Sequence, residues 1–318
     1  MFILTVRLLN CAMLKFIRSC AITLVIFLVA CSTTSNNVQV GDTGSLAGLQ
    51  MMANNKTPGT PSKPKLGKIR EMAVRETALS LGAQSGLSWR AKQIDEQLIK
   101  QTQSLDAIYD FNSLTLEHNI LPPVLLEGRN TLNLADTQNI RISDRTYKVS
   151  KQARFITTPP NWRQYLWMDY KKPDYPSTTL LPNTKEERAI WCFYTAKGWN
   201  NGVDQANTIL EESIARIKED FSGMILYRKL LAMNMVSPPF VSHTDLGVTG
   251  DGGEIHIDDR VLRITALPAL NINSSEWRAA VAKDEEALEQ FKHMEKMVKS
   301  AKIVITSKAW QPVITPIN

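Results

Sequence analysis

"LSLGAQSGLSW" (79–89) places two glycines one helical turn apart, Gly82 and Gly86, inside a stretch whose apolar residues recur at helical spacing. Met72, Leu79, Ala83 and Leu87 mark that spacing before Trp89, and Ile94, Leu98, Leu105, Ile108 and Tyr109 continue it on one face beyond. Glycine inside a helix costs backbone entropy, so a pair at this spacing calls for a reason. The reason it offers is room: with no β-carbon, another helix or strand can approach the backbone closely. The same pair recurs as Gly198 and Gly202 in "AKGWNNGV" (196–203), 116 positions further on.

At that offset the halves share more punctuation. Glu71 falls on Glu187, Leu114 on Leu230, and Pro122-Pro123 on Pro238-Pro239. Each Pro-Pro ends a helix and sends the chain into an extended segment. With one residue deleted after the prolines, Ile140–Arg145 lies on Ile255–Arg260, so Asp144-Arg145 matches Asp259-Arg260, and Trp162-Arg163 lies on Trp277-Arg278. Each Asp-Arg stands at one place in a strand, where opposite charges can pair or bind a neighbour. The matches concentrate in glycine, proline and tryptophan, where geometry dictates the residue, and they read as an internal duplication. The alternative is two helix-plus-hairpin units that share punctuation by chance.

The expected fold class is α+β: two related helix–strand–strand units packed together, plus a C-terminal amphipathic helix. The first unit spans 66–182, with strand-like "VLLEG" and "NIRISDRTYKV" and a short helix that Asn161 can cap. The second spans 183–280. It opens on Thr184-Lys185-Glu186-Glu187, a capping box. It continues through Leu210, Ile214, Ile217, Phe221 and Met224, a buried stripe, and closes with the strand "EIHIDDRVLRI". Residues 281–318 hold the last helix, expected from about Trp277 to Lys302, and "KIVIT" (302–306) as a final strand.

At the other end, the apolar run Ala21–Ala30 is too short to span a bilayer, for which about 20 residues are needed. With Lys15 and Arg18 before it, it reads as a signal peptide over 1–30, with Met13 a plausible start. Leu28-Val29-Ala30-Cys31 has the lipobox pattern, which makes Cys31 the acylated first residue of a lipoprotein. Ser32 lacks the aspartate that retains lipoproteins at the inner membrane. The expectation is lipid anchoring at the outer membrane, facing the periplasm. Residues 31–65 then form a flexible tether, rich in Ser, Thr, Asn, Gly, Pro and Lys. Its one apolar patch, "LAGLQMM" (46–52), reads as inert linker, with a docking element as the alternative.

Chemistry is sparse. The formal charge of +6 falls once Arg7, Lys15 and Arg18 leave, too mild for a nucleic-acid footprint, so no direct nucleic-acid contact is expected. After cleavage and acylation, Cys192 is the remaining free thiol, set in apolar "AIWCFY" as a small buried hydrophobe. His118, His243, His256 and His293 lack metal-ligand spacing. "GVTGDGGEI" (247–255) has no P-loop lysine and precedes a strand, so it reads as a turn. No catalytic, cofactor or metal residues are assigned. "NWRQYLWMDY" (161–170) gathers Trp162, Arg163, Tyr165, Trp167 and Tyr170, the residue types that dominate interface hot spots, as a candidate interface or as core packing. An envelope enzyme or a ligand-binding lipoprotein is the alternative to an assembly component.

Five blocks carry a family resemblance: "IREMAVRETALSLGAQSGLSWRAKQID", "NILPPVLLEGRNTLNLADTQNIRISDRTYKV", "TPPNWRQYLWMDY", "GMILYRKLLAMNMVSPPFVS" and "LGVTGDGGEIHIDDRVLRITALP". Over about 67–278 the chain resembles the DotC/TraI lipoproteins of type IVB secretion and IncI-type conjugation systems. The resemblance implies a non-enzymatic member of an outer-membrane core complex, ring-like, working with a DotD-like lipoprotein and a DotH-like channel component.

Overall fold

The computed structural model describes residues 42–54, 67–134, 138–278, 282–301 and 303. The signal segment, Cys31 and most of "KIVIT" lie outside the described residues. Two helices dominate: α1 (Leu46–Met51) is a short forerunner, while α2 (Lys68–Lys100) and α5 (Lys185–Ala232) run 33 and 48 residues. Between them come α3 (Thr102–Ile108), β1 (Ile120–Leu121), β2 (Val124–Leu134), β3 (Ile140–Lys151), β4 (Arg154–Phe155) and α4 (Trp162–Leu166). After α5 follow β5 (Phe240–Gly250), β6 (Ile255–Ala266) and α6 (Ala282–Ser300). The class is α+β, with three separate two-stranded antiparallel sheets among the described residues.

The glycines explain how α2 and α5 meet. A β-carbon on Gly82 would overlap the carbonyl oxygen of Thr195, and one on Gly86 that of Trp199. On the facing helix, a β-carbon on Gly198 would overlap the carbonyl of Leu79, and one on Gly202 that of Ala83. Contacts that rise together along both helices mean the two run parallel. A shift of 116 positions carries Gly82 onto Gly198 and Leu79 onto Thr195. The pair of contacts therefore maps onto itself, as across a two-fold axis.

At this separation main-chain CH groups face carbonyl oxygens, a weak but repeated attraction. The seam also corrects the expected stripe on α2. Met72 is exposed, and the buried face runs through Val74, Ala78, Leu81, Gly82, Ser85 and Gly86. A backbone, rather than side chains, fills the space opposite, so small residues are the ones buried.

The rest of each half follows in step. β2 pairs with β3 and β5 with β6, and the strand bounds correspond: Val124–Leu134 with Phe240–Gly250 at the shift of 116, Ile140–Lys151 with Ile255–Ala266 at 115. Ile120 pairs with Phe155, and Val236 bridges Leu270 at the equivalent place. His118 and Asn234, again equivalent, both take left-handed backbone, φ 59 and 55. Pro122 and Pro123 stand between β1 and β2, Pro238 and Pro239 between the Val236 bridge and β5.

The halves diverge after residue 100. α2 ends at Gln101, where Thr102 Oγ1 donates to the Ile99 carbonyl, and the chain restarts as α3. α5 runs straight through the equivalent region because Ile217 and Phe221 are buried there. The first hairpin lies on α5: Leu125 packs with Tyr227 and Leu230, and Gly223 gives Val124 and Leu125 the room. The second hairpin has no such cover. Phe240, at the place of Val124, is 57 % exposed where Val124 is 1 %.

Among the described residues, beside the small cluster of Leu125, Tyr227 and Leu230, two larger cores are shared between the halves. One joins Ile94, Leu98 and α3 to Leu210, Ile217, Phe221 and Met224, with Phe291 and Val298 of α6 against it, so the expected α5 stripe is buried. The other joins Val74, Ala78 and Leu81 to Trp191, Trp199 and Val203. Leu46, Leu49, Met52 and Ala53 complete it, and Trp191 Nε1 donates to the Leu49 carbonyl at 2.8 Å. "LAGLQMM" is thus a docked helix rather than inert linker, because its apolar residues meet the tryptophan face of α5. Trp277, expected to open the last helix, follows a 3₁₀ turn and is exposed. A second strand absent from the sequence reading, β5, forms from "FVSHTDLGVTG", whose polar residues hide the alternation.

Candidate functional site

The stretch 161–170 divides between interior and surface. Asn161 caps α4, its side chain accepting from the Arg163 N–H. Trp162 is fully buried, with Nε1 donating to Asp106 at 2.6 Å, and Arg163 covers its ring at 4.4 Å while reaching the same carboxylate at 3.3 Å. Tyr165 stacks on Phe111 with ring centroids 5.8 Å apart. Its hydroxyl donates to Asp220 at 2.9 Å, and burial together with that carboxylate pushes the phenol well up. Lys151 Nζ meets both Asp220 oxygens, at 2.6 and 2.7 Å, so Asp220 ties α5 to the end of β3 and to α4. Trp162 and Tyr165 are therefore core residues, and only Trp167 and Tyr170 stay on the surface as aromatic anchors, 42 % and 43 % exposed.

Trp167 and Tyr170 border a cleft of ≈ 660 Å³ with Trp89, Asp42, Asp95 and Lys172. Asp95 accepts the N–H groups of Met168 and Asp169, both at 3.1 Å. Burial holds its carboxyl above the usual range even so. From there the chain runs back along α2: Thr43 Oγ1 donates to the Pro173 carbonyl at 2.8 Å, and Arg70 donates to the carbonyls of Thr179 and Leu181. Arg70 also pairs with Glu187 at 3.1 Å. Glu187 takes the Asn183 N–H at 2.7 Å, while Thr184 Oγ1 accepts from the Glu187 N–H at 3.1 Å, so the box expected from the sequence ties the starts of α2 and α5 together.

The larger apolar surface lies on the hairpins, which the sequence reading did not single out. Leu132 stands opposite Ile142 and Leu134 opposite Ile140, each 61–71 % exposed. At the equivalent places of the second hairpin stand Val248, Ile255 and Ile257, 68–75 % exposed. The two Asp-Arg pairs do not close on themselves, since neighbours in a strand point to opposite faces. Arg260 pairs across the ladder with Asp245 at 3.3 Å, and Asp259 accepts from Thr249 at 2.6 Å. Arg145 instead faces Arg129, the residue equivalent to Asp245.

Among the described residues no group of three His, Cys, Asp or Glu side chains converges to hold a metal ion. Cys192 is half-buried in a groove between α1 and α5, and burial raises its thiol pKa, which makes it a poor nucleophile. Among the described residues no helix is long and apolar enough to cross a membrane.

Residues 68–279, from α2 past both hairpins, match the family model T4SS_TraI, described as type IV secretory system, conjugal DNA-protein transfer. No curated protein matches the chain.

Proposed function

The chain belongs to the DotC/TraI-type T4SS_TraI family of the type IV secretory system and conjugal DNA-protein transfer, and from that membership we propose that it is a structural outer-membrane lipoprotein of the transfer apparatus. It is anchored through acylated Cys31, and its body assembles with a DotD-like lipoprotein and a DotH-like channel component. One observation carries this reading. The family match covers both the glycine-locked helix pair and two hairpins that hold apolar faces out to solvent, and such faces on a rigid body serve contact rather than catalysis. The lipid holds the body at the membrane, and the aromatic surface at Trp167 and Tyr170 adds a second place of contact.

The test is affinity purification of the tagged protein from detergent-solubilised envelopes, beside the Cys31→Ser form. Co-purification of a second lipoprotein and a large channel protein in one high-mass particle is expected, with loss of outer-membrane fractionation and of transfer for Cys31→Ser. A lone lipidated monomer, or unimpaired transfer by the variant, overturns the reading.

A further inference from the structure

The two hairpins stand at equivalent places of the two halves, yet only one of them lies on a helix. In the first, Leu125, Tyr147 and Val149 share one face of the ladder and pack with Tyr227 and Leu230 of α5. Gly223, one turn earlier, lets that helix come down on Val124 and Leu125, where a β-carbon would overlap both. The helix thus reads as a glycine followed by apolar residues four and seven places on. Both ladders carry the same irregularity, between Val124 and Leu125 and between Phe240 and Val241. The matching face of the second hairpin is therefore Phe240 and Val241 on β5 with Leu262 and Ile264 on β6. Val124 and Leu125 are each 1 % exposed, whereas Phe240 is 57 % and Leu262 39 % exposed. Among the described residues no helix covers this face as α5 covers the first.

The chain's own counterpart of Glu219–Leu230 is Gln103–Leu114, and it is unsuited to the place. α2 breaks at Gln101, and Leu105, Tyr109, Phe111 and Leu114 are buried in the core instead. Ala107 stands where Gly223 does, and at Gly223 even one methyl group would overlap the Leu125 backbone. Charge is unfavourable as well. Residues 103–114 hold Asp106 and Asp110 and no Lys or Arg, while the second hairpin, 240–266, carries five Asp or Glu against two Lys or Arg. The groove between the first hairpin and α5, ≈ 440 Å³, has Glu127, Arg129 and Arg145 on its hairpin wall and Glu219 on its helix wall. On the second hairpin His243, Asp245 and Arg260 take those three places, and Asp245 pairs with Arg260 at 3.3 Å. The wall goes from net positive to neutral within a hairpin that is acidic as a whole. A carboxylate at the place of Glu219 thus loses its counterpart, and a cation gains one.

We propose that Phe240, Val241, Leu262 and Ile264 form the docking face for one helix of a different protein. That helix is cationic and amphipathic, with a glycine followed by apolar residues four and seven places on. It lies on the second hairpin as α5 lies on the first. Burial of the four side chains supplies affinity, and the charges supply direction and a dependence on salt. The inference rests on the duplication of the two halves and does not need the secretion role.

The protein's own helix supplies the probe. A labelled peptide of residues 216–233 carries four Lys or Arg against two Asp or Glu and holds Gly223, Tyr227 and Leu230. A hydrocarbon staple on its far face keeps it helical, since packing supplies most helical stability in proteins, and Glu219→Lys adds the cation. The full-length protein in phosphatidylcholine nanodiscs should bind this peptide saturably, and more weakly in high salt, while empty nanodiscs do not. Gly223→Leu in the peptide, or Leu262→Asp in the protein, should each weaken binding at least about tenfold. Should Leu262→Asp melt below the wild type, Phe240→Asp takes its place. No binding, or binding indifferent to both substitutions, overturns the proposal. A photocrosslinking amino acid at Leu262 of the otherwise unaltered chain then reads the occupant in intact cells. Capture of a cationic helix of another protein, with the glycine and its apolar residues at the stated spacing, supports the proposal. Capture of residues 103–114 or 304–318 of the same chain, of a second copy, of lipid alone or of nothing refutes it.

Discussion

The carbonyl oxygen of Thr195 occupies the place where a β-carbon on Gly82 would lie. The obstacle is main chain, not the end of a flexible side chain, so it cannot swing away. Any side chain at Gly82 must push two long helices apart.

Gly82→Leu is therefore expected to destabilise the protein by about 1–3 kcal/mol or more through overpacking, read from urea unfolding. Gly198→Leu should cost a similar amount, because it meets the same kind of obstacle from the other side. Combined, the two should cost less than their sum, since a seam already opened has less left to lose. Strict additivity would show that the seam is not a single unit.

Asp220 serves Lys151 and Tyr165 at once, with its own side chain 5 % exposed. Asp220→Ala should cost about 1–3 kcal/mol by stranding both donors. Hydrogen exchange should rise along β3 and α4 and stay unaltered in β5 and β6, which lie elsewhere. Equal loosening of both hairpins would contradict this placement.

Burial alone would raise the Glu187 carboxyl, but the Arg70 guanidinium and the Asn183 and Thr184 N–H groups outweigh it and leave it below the ordinary glutamate range. A group lowered in the folded state contributes stability above its unfolded pKa and loses it as pH falls through the folded value. Glu187→Gln should therefore lower the melting temperature at neutral pH, with the gap to wild type closing under acid conditions below the ordinary glutamate pKa of 4.5. A gap that is the same at every pH would assign the residue a role by packing alone.

Leu49 is fully buried against the tryptophan face of α5. Leu49→Ala should cost about 2–5 kcal/mol as a core truncation. If α1 is released as a unit, the cost shrinks and residues 42–54 become sensitive to protease while the helix pair stays protected. Limited proteolysis followed by mass determination distinguishes the two.

Much of this architecture was legible in the sequence because it is written in residues whose geometry admits no substitute. Gly82, Gly86, Gly198 and Gly202 lie at the seam, and the two Pro-Pro steps mark the entry to the hairpins. The capping box at Thr184 opens α5. What was hidden depended on neighbours distant in the chain. Met72 has the character of a core residue, yet faces water because α5 approaches a different side of α2. Trp162 has the composition of an interface anchor, yet Asp106 and Arg163 make it interior. β5 escaped notice because a hairpin exposed on both faces needs no alternation of polar and apolar residues, and the signal sought in a strand is that alternation. The same lack of cover concealed the apolar faces at Leu132 and Ile257, which no motif announces.

Parallel helices in one chain oblige the polypeptide to travel back before the second can start. The return is measured by two anchors, Met168 at Asp95 and Leu181 at Arg70. The helix between those anchors is about 38 Å long at 1.5 Å per residue, and the thirteen steps of returning chain span at most about 43–47 Å when fully extended. This connection is nearly taut, a ruler cut to the length of its helix. Insertions here can bulge outward at little cost, whereas a deletion of three or four residues must drag one helix along the other and misalign the glycines. Natural variation in this connection should therefore be one-sided in length, free to grow and barred from shrinking, whatever its composition.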